Sequence, residues 1–325
     1  TRQAMTRSDT SPAARTARLR LGTRGSPLAL AQAEAARARL ADAWPELDAP
    51  GAIEIVVVRT TGDIEQKRRL AEIGGKGLFT KELEDALLDG RIDAAVHSMK
   101  DVPTWLPPGL VLDAILPRAD PRDAWFSTQS ARPAGLPTGA TVGTTSLRRQ
   151  AQLLAARPDL RVVLFRGNLD TRLRKLREGE ADATLLALAG LQRLGRAAEA
   201  TAVLAPEELL PAAGQGAVGL ERRAEDACTA GYLAAIDDPP SQLRVAAERA
   251  CLAVLDGSCR TPIGVLAELS EDAARLRLRA LVAAPDGSRR WTTERAGPAA
   301  ESTALARDAG AELRAAAGEA FFAAL

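Results

Sequence analysis

Several short stretches carry side chains suited to holding anions. They are Thr23-Arg24-Gly25-Ser26, His97-Ser98-Met99-Lys100-Asp101, Thr144-Thr145-Ser146-Leu147-Arg148-Arg149, Arg166-Gly167-Asn168 and, further on, Arg193. Each sets a cation or a hydroxyl beside a predicted helix start or loop. Helix N-termini offer unpaired N–H groups and the positive end of the helix dipole. Arginine adds a planar fork that donates two parallel hydrogen bonds to a carboxylate or phosphate. Between Gly143 and Arg177 nine basic residues stand against two acidic ones. Arg174, Lys175 and Arg177 fit a solvated helix face, whereas Arg148, Arg149, Arg166 and Arg172 fall at strand-to-helix turns, where a polyanionic ligand is the sharper reading. Lys100-Asp101 follows a strand directly. As a surface ion pair it would be worth little, but a carboxylate ringed by cations stays ionised and could stabilise a developing positive charge. His97, the single histidine, reads as a satisfied structural residue. Gly74-Gly75-Lys76-Gly77 lacks P-loop spacing, and Gly214-Gln215-Gly216 matches no dinucleotide fingerprint.

The elements that must position these residues alternate between strand and helix. Residues 1–18 have no apolar period and read as a disordered tail. Leu19–Gly22 predicts a strand, and Ser26-Pro27 opens a helix as N-cap and first helical residue. Ile53–Val58 and Ile92–Val96 predict buried strands, Gly62–Gly77 an exposed mobile loop, and Thr80–Leu88 a helix. After Pro117 the scheme repeats, with strands at Ala140–Gly143, Leu160–Phe165 and Ala183–Leu188. The helices of this stretch are Leu147–Ala156 and Leu169–Arg177, and a return strand runs through AAGQGAVGLE. Such alternation predicts α/β units with a largely parallel sheet, whose ligands bind at the carboxyl ends of the strands. From Pro239 the character changes to a helix (Ser241–Leu255), two strands hinged at Pro285-Asp286-Gly287, and a final Ala-rich helix. The expected division is 19–116 with 217–236, then 117–216, then an α+β unit at 239–325 with a small antiparallel sheet.

Composition narrows the function. A length of 325 residues allows two or three domains, and 46% hydrophobic with 26% charged residues fits a soluble globular chain. Net charge +1 argues against a general nucleic-acid or membrane-surface binder, and no apolar run is long enough for a membrane span. One histidine excludes multi-histidine metal centres. Cys228, Cys251 and Cys259 show no Cys-x-x-Cys spacing, which suggests a reducing compartment and a cytoplasmic address. Arginine supplies all but five of the 43 basic residues, a bias that a GC-rich coding sequence also produces.

Taken together, GTRGSPLALAQ, GGKGLFTKELEDALLDGRIDAAVHSMKDVP, GTTSLRRQAQL, FRGNLDTRLRKL, LALAGLQRLG, LPAAGQGAVGLE and GSCRTPIG occur in one order. From residue 19 to the C-terminus the chain resembles the porphobilinogen deaminase (hydroxymethylbilane synthase) family. The resemblance implies three α/β domains, the first two folded like type II periplasmic binding protein lobes. It implies a transferase of tetrapyrrole (haem) biosynthesis that joins four porphobilinogens head to tail, releases ammonia and frees hydroxymethylbilane by hydrolysis. The growing chain is held on a covalent dipyrromethane cofactor, and by matching motif the anchoring thioether falls on Cys259. Asp101 matches the catalytic aspartate, placed to stabilise the azafulvenium-like cation left when ammonia departs. Arg24, Ser26, Lys100, Arg148, Arg149, Arg166, Arg172 and Arg193 match residues binding cofactor and substrate carboxylates, with Gln215 among the binding positions. Ser98, Thr144 and Ser146 match hydroxyl donors, and Lys76 lies in the lid loop. Glu72 stands in that loop where family members often have lysine, and Thr145 where they often have serine. The resemblance further implies a monomer, no metal, no nucleic acid and no membrane, with product passed to uroporphyrinogen-III synthase.

Two other readings compete. An anion-binding protein on the same two-lobed scaffold accounts for the arginines but not for the third unit or the matching cysteine. Nucleic-acid binding through residues 143–177 lacks aromatic stacking residues.

Overall fold

A computed structural model describes residues 19–64, 77–255 and 261–324. The tail at 1–18 and the positions Glu72, Lys76 and Cys259 lie outside the described residues.

In chain order the elements are β1 (Leu19–Thr23), α1 (Pro27–Ala43), β2 (Ile53–Val57), a single turn α2 (Thr61–Ile64), α3 (Lys81–Leu88), β3 (Ala94–Ser98), β4 (Leu110–Ile115) and β5 (Asp123–Ser127). Next come β6 (Thr141–Gly143), α4 (Leu147–Ala156), β7 (Arg161–Val163), α5 (Leu169–Arg177), β8 (Ala183–Ala187), α6 (Leu188–Arg193) and β9 (Ala202–Val203). The chain closes with β10 (Val218–Arg223), α7 (Ala227–Ala234), α8 (Pro239–Val254), β11 (Ile263–Leu269), β12 (Arg275–Ala283), β13 (Arg290–Pro298), α9 (Ser302–Ala317) and α10 (Glu319–Ala323).

These strands form three sheets, ordered β2-β1-β3-β10-β4, β7-β6-β8-β5-β9 and β11-β12-β13. The first two are mixed rather than largely parallel. β1 runs parallel to β2 and β3, but β10 is antiparallel to both β3 and β4. In the second sheet β5 is antiparallel to β8 and β9. The reason is a pair of crossing segments. The chain leaves the first sheet after β4, enters the second at β5, and returns as β10 between β3 and β4. Paired hydrogen bonds tie the crossings together, Leu116 N–H to Val218 O at 3.0 Å and Ala119 N–H to Gly216 O at 3.2 Å.

Local signals explain most element ends. Ser26 caps α1 with its side chain accepting from Ala29 N–H, and Pro27 occupies the first turn. The third strand sits two residues later than the apolar run predicts. Arg91 and Ile92 N–H wrap back onto Ala86 O after α3, so Ile92 serves the helix end, while pairing with Val218 extends β3 to Ser98. The third unit has three strands, not two, because β11 joins the expected hairpin. Its core packs α8 and α9 on that sheet through Ala247, Cys251, Val265, Leu278, Ala306 and Leu313.

Candidate active site

The first side of the candidate site is built at the carboxyl ends of β1 and β3. Thr23 Oγ1 donates to Ala29 O at 3.1 Å, locking the turn that carries Arg24 and Ser26. Arg24 lies over the Phe79 ring at 4.1 Å, a cation–π contact. After β3 a single 3₁₀ turn, Met99–Asp101, lifts Lys100 and Asp101 off the sheet, closed by Val102 N–H on Met99 O. Ser98 Oγ accepts from the Gln32 amide at 2.9 Å. Arg24, Gln32, Phe79, His97, Ser98 and Asp101 border a cavity of about 20 Å³. His97 is buried and its Nε2 meets Glu221 Oε2 at 2.9 Å, the satisfied core histidine that one ring in a strand leads one to expect.

The second side comes from the strand-to-helix turns of the second sheet. Thr144 Oγ1 accepts from Ser146 N–H, and Ser146 caps α4 by accepting from Arg149 N–H, so both hydroxyls first serve the helix start. That start aims Arg148 and Arg149 inward. Both are buried, and both grip Asp123, Arg148 Nη2 at 2.8 Å and Arg149 Nη2 at 2.6 Å. Their other arms donate to Leu210 O and Leu185 O. Gln215 gives Asp123 a third hydrogen bond at 3.0 Å. Burial alone would raise the Asp123 pKa, but the two guanidiniums outweigh it and hold the carboxyl well below the usual range. Arg148 Nε and Arg149 Nε are buried without a hydrogen-bond partner among the described residues.

Around this pair the cations crowd. Arg172 Nε donates to Gly167 O at 3.0 Å. Burial, with repulsion from Arg149 and Arg166, pushes its guanidinium down to about 10. Lys100 keeps exposed surface yet is hemmed in by protein atoms. Loss of solvent lowers its pKa most, Arg149 and Arg148 lower it further, and Asp101 and Asp123 oppose them. Lys100 thus lies within electrostatic reach of Asp123, Arg148 and Arg149. Arg193 donates to Gly216 O at 2.7 Å in the crossing segment, and its burial lowers its pKa too. By contrast Arg174 is exposed and paired with Glu178, while Lys175 lies against Phe165.

Sequence reasoning missed Asp123, Gln32 and Phe79. Asp123 stands in RADPRDAW among other charges, where nothing marks it as the buried acid. Among the described residues no helix is long and apolar enough to cross a membrane, and no cluster of His, Cys, Asp and Glu could hold a metal ion.

Fold and site together define an α/β protein of two five-stranded mixed sheets, with a cluster of cations at the strand-to-helix turns of the second, and an appended α+β unit. The model of the porphobilinogen deaminase dipyrromethane cofactor-binding domain matches residues 19–230, and that of the porphobilinogen deaminase C-terminal domain matches 242–315. The chain belongs to the porphobilinogen deaminase family. It is 58% identical over 304 residues to porphobilinogen deaminase of Paracoccus denitrificans (strain Pd 1222), covering 94% of this chain and 96% of that one. It is 53% identical over 306 residues to the chloroplastic porphobilinogen deaminase of Oryza sativa subsp. japonica, covering 94% and 85%. Among solved structures, the methionine-binding protein MetQ aligns at TM-score 0.41 and 14% identity over 70% of this chain and 93% of that one. A periplasmic substrate-binding protein of an ABC transporter from Coxiella burnetii aligns at 0.40 and 15% over 69% and 94%.

Proposed function

We propose that the cleft between the first two sheets binds porphobilinogen and the growing pyrrole chain, with Asp101 at the reacting centre and Cys259 as the thioether anchor. The chain is a transferase, a hydroxymethylbilane synthase, joining porphobilinogen units head to tail with loss of ammonia. One observation carries the site reading: buried Arg148 and Arg149 each leave an Nε donor with no hydrogen-bond partner among the described residues, while Arg149 and Arg166 both repel neighbouring Arg172, an arrangement that an anionic ligand relieves.

Dipyrromethane fits these residues. Its rings bear acetates and propionates, which suit the arginine forks, and the partnerless Nε atoms of Arg148 and Arg149 leave donor capacity in the cluster. When bound, the group supplies a fixed primer for the new chain. The protein's own residues do the rest. Arg149, Arg166, Arg172 and Lys100 hold carboxylates, Arg148 with Gln215 fixes Asp123 beneath them, and Arg24, Ser26 and Ser98 line the first side. Thr144 and Ser146 orient the start of α4, and Arg193 braces the crossing segment. As ammonia leaves the substrate's aminomethyl carbon with the bonding electron pair, positive charge develops on the pyrrole. The Asp101 carboxylate stabilises that charge electrostatically. The unpaired thiols of Cys228 and Cys251 favour a reducing compartment. We place the protein in the cytoplasm, as a monomer that passes its linear product to uroporphyrinogen-III synthase.

The test is the ladder of enzyme-bound pyrrole adducts trapped with limiting porphobilinogen and read by mass spectrometry. Arg172→Gln should truncate or weaken the ladder, and Arg174→Gln should leave it as in the wild type. Identical ladders for all three proteins would contradict the reading.

A further inference from the structure

Helix α8 belongs to the third unit, yet one of its faces rests on the segment that follows Asp101. Val245 packs with Met99, Val102, Ile115 and Ala217 in one small apolar cluster. One turn later on the same face, Arg249 Nη1 donates to Val102 O at 3.0 Å and Nη2 donates to Pro103 O at 2.6 Å. The two carbonyls are consecutive. Val102 is extended, with φ −87 and ψ 123, as a residue before proline must be. The stiff dipeptide thus presents a fixed pair of acceptors to the planar fork of one guanidinium. A lysine could satisfy only part of this.

Burial lowers the Arg249 pKa, and the Glu221 carboxylate of β10 opposes that loss. Neighbouring Glu248 faces another way, accepting from Arg118 at 2.6 Å and 3.0 Å, from Gly214 N–H at 2.6 Å and from Ala267 N–H at 2.8 Å. Arg249 therefore has its own task, separate from the grip that Glu248 takes on the crossing segment.

We propose that Arg249 is a positioning residue for Asp101. It clamps the 3₁₀ turn Met99–Asp101 at its C-terminal end and sets the turn's height relative to α8, the helix that leads toward Cys259. The proposal rests on the reading of Asp101 as the reacting carboxylate. A misplacement of about 1 Å costs catalysis up to ~10²-fold, so loss of the clamp should fall on kcat rather than on substrate capture.

The experiment compares full-length, cofactor-loaded Arg249→Gln, Arg249→Lys, Arg244→Gln and Asp101→Asn. Arg244 lies on the same helix and, among the described residues, donates to Pro240 O and Ser241 Oγ. Arg249→Gln should keep its covalent load by intact mass and show kcat lowered ~10–100-fold with KM nearly unchanged. Its amides from Met99 to Trp105 should also exchange hydrogen faster than in wild type. Arg249→Lys should recover part of the kcat, and Arg244→Gln should match wild type in both readouts. Wild-type kcat and exchange in Arg249→Gln would overturn the proposal, as would loss of kcat that merely tracks lost cofactor or unfolding. Normal turnover in folded Asp101→Asn would instead overturn the reading of Asp101, with the exchange data still reporting on the clamp.

Discussion

Asp101 supplies the carboxylate among the described residues that border the small cavity at the end of β3, and in the proposed reaction its charge does what no hydrogen-bonding isostere can. Asp101→Asn keeps the shape and removes the charge, so turnover should fall about 10²–10³-fold, equivalent to about 2.7–4 kcal/mol, with the unfolding midpoint unchanged. Steady-state kinetics beside a urea titration checks this, and near-normal turnover would refute it. Two of the cysteines separate as cleanly. Cys228 is exposed, whereas Cys251 is buried in the core of the third unit. Burial, with Glu248 nearby, pushes the Cys251 thiol up to about 12. At pH 8 an alkylating reagent should label Cys228 and spare Cys251 in the native protein, as peptide mass spectrometry would show. The pH dependence has a definite sign. The native thiol holds its proton while the unfolded one releases it near pH 9, so this contribution to stability is full below pH 9 and is lost between 9 and 12. At this scale the sequence was readable wherever a residue's neighbours in the chain set its role, as for Ser26 and Cys251. It was silent where the partner is distant, as for Asp123, whose three donors come from positions 148, 149 and 215.

Helix α4 shows how an element can serve two neighbours at once. Its N-terminal turn points Arg148 and Arg149 at Asp123, while its C-terminal half carries the β12–β13 hairpin. Gln150 donates to Pro285 O at 3.0 Å, and Ala151 packs with Leu210, Leu266 and Leu281. Gly287, at φ +75, leaves no room for a side chain: a Cβ there would lie 2.6 Å from the Leu154 carbonyl carbon. Gly287→Ala should therefore cost more than the roughly 1–3 kcal/mol of a strained left-handed backbone. Gly179, at φ +77 with nothing within 4 Å, provides the control, since Gly179→Ala pays only the backbone strain. Equal losses in urea unfolding would mean that the hairpin does not bear on α4. The helices and turns here were legible in advance: α4 at Leu147–Ala156, α5 at Leu169–Arg177, and the Pro285-Asp286-Gly287 bend. β4, β5 and β9 were not anticipated, and β10 changed the sheet's character. Strand pairing is decided between segments far apart in sequence, and an apolar run is the same whichever way its partner points.

Across the whole molecule the units meet through both apolar contacts and buried charges: Ala151 and Leu210 against Leu266 and Leu281, Val245 against Met99 and Val102, and Arg118 with Glu248. Within the second unit, Asp123 is buried between Arg148 and Arg149. Because its folded pKa is depressed, the stability it contributes is present above the ordinary carboxylate value of 3.8 and is lost as pH falls below it. Asp123→Ala strands two buried guanidiniums, so it should destabilise by about 3–5 kcal/mol and flatten the acid side of the stability profile below pH 4, read from thermal melts. A variant as stable as wild type would show that the pair Arg148 and Arg149 needs no internal anion. The three-unit α/β plan and the family were open to a reader of the sequence because their motifs are local and occur in one order. How the units lean on one another was not, since Arg118–Glu248 and Arg249 on Val102 and Pro103 join residues 130 to 147 positions apart. The central claim, a cleft that works on a chain anchored at one cysteine, is tested most directly by the intact mass of the purified protein and of three variants. Wild type, Cys228→Ser and Cys251→Ser should all carry the mass increment of a covalent dipyrromethane, and Cys259→Ser should fold but carry none. A covalent dipyrromethane on Cys259→Ser, or none on wild type, would contradict the account.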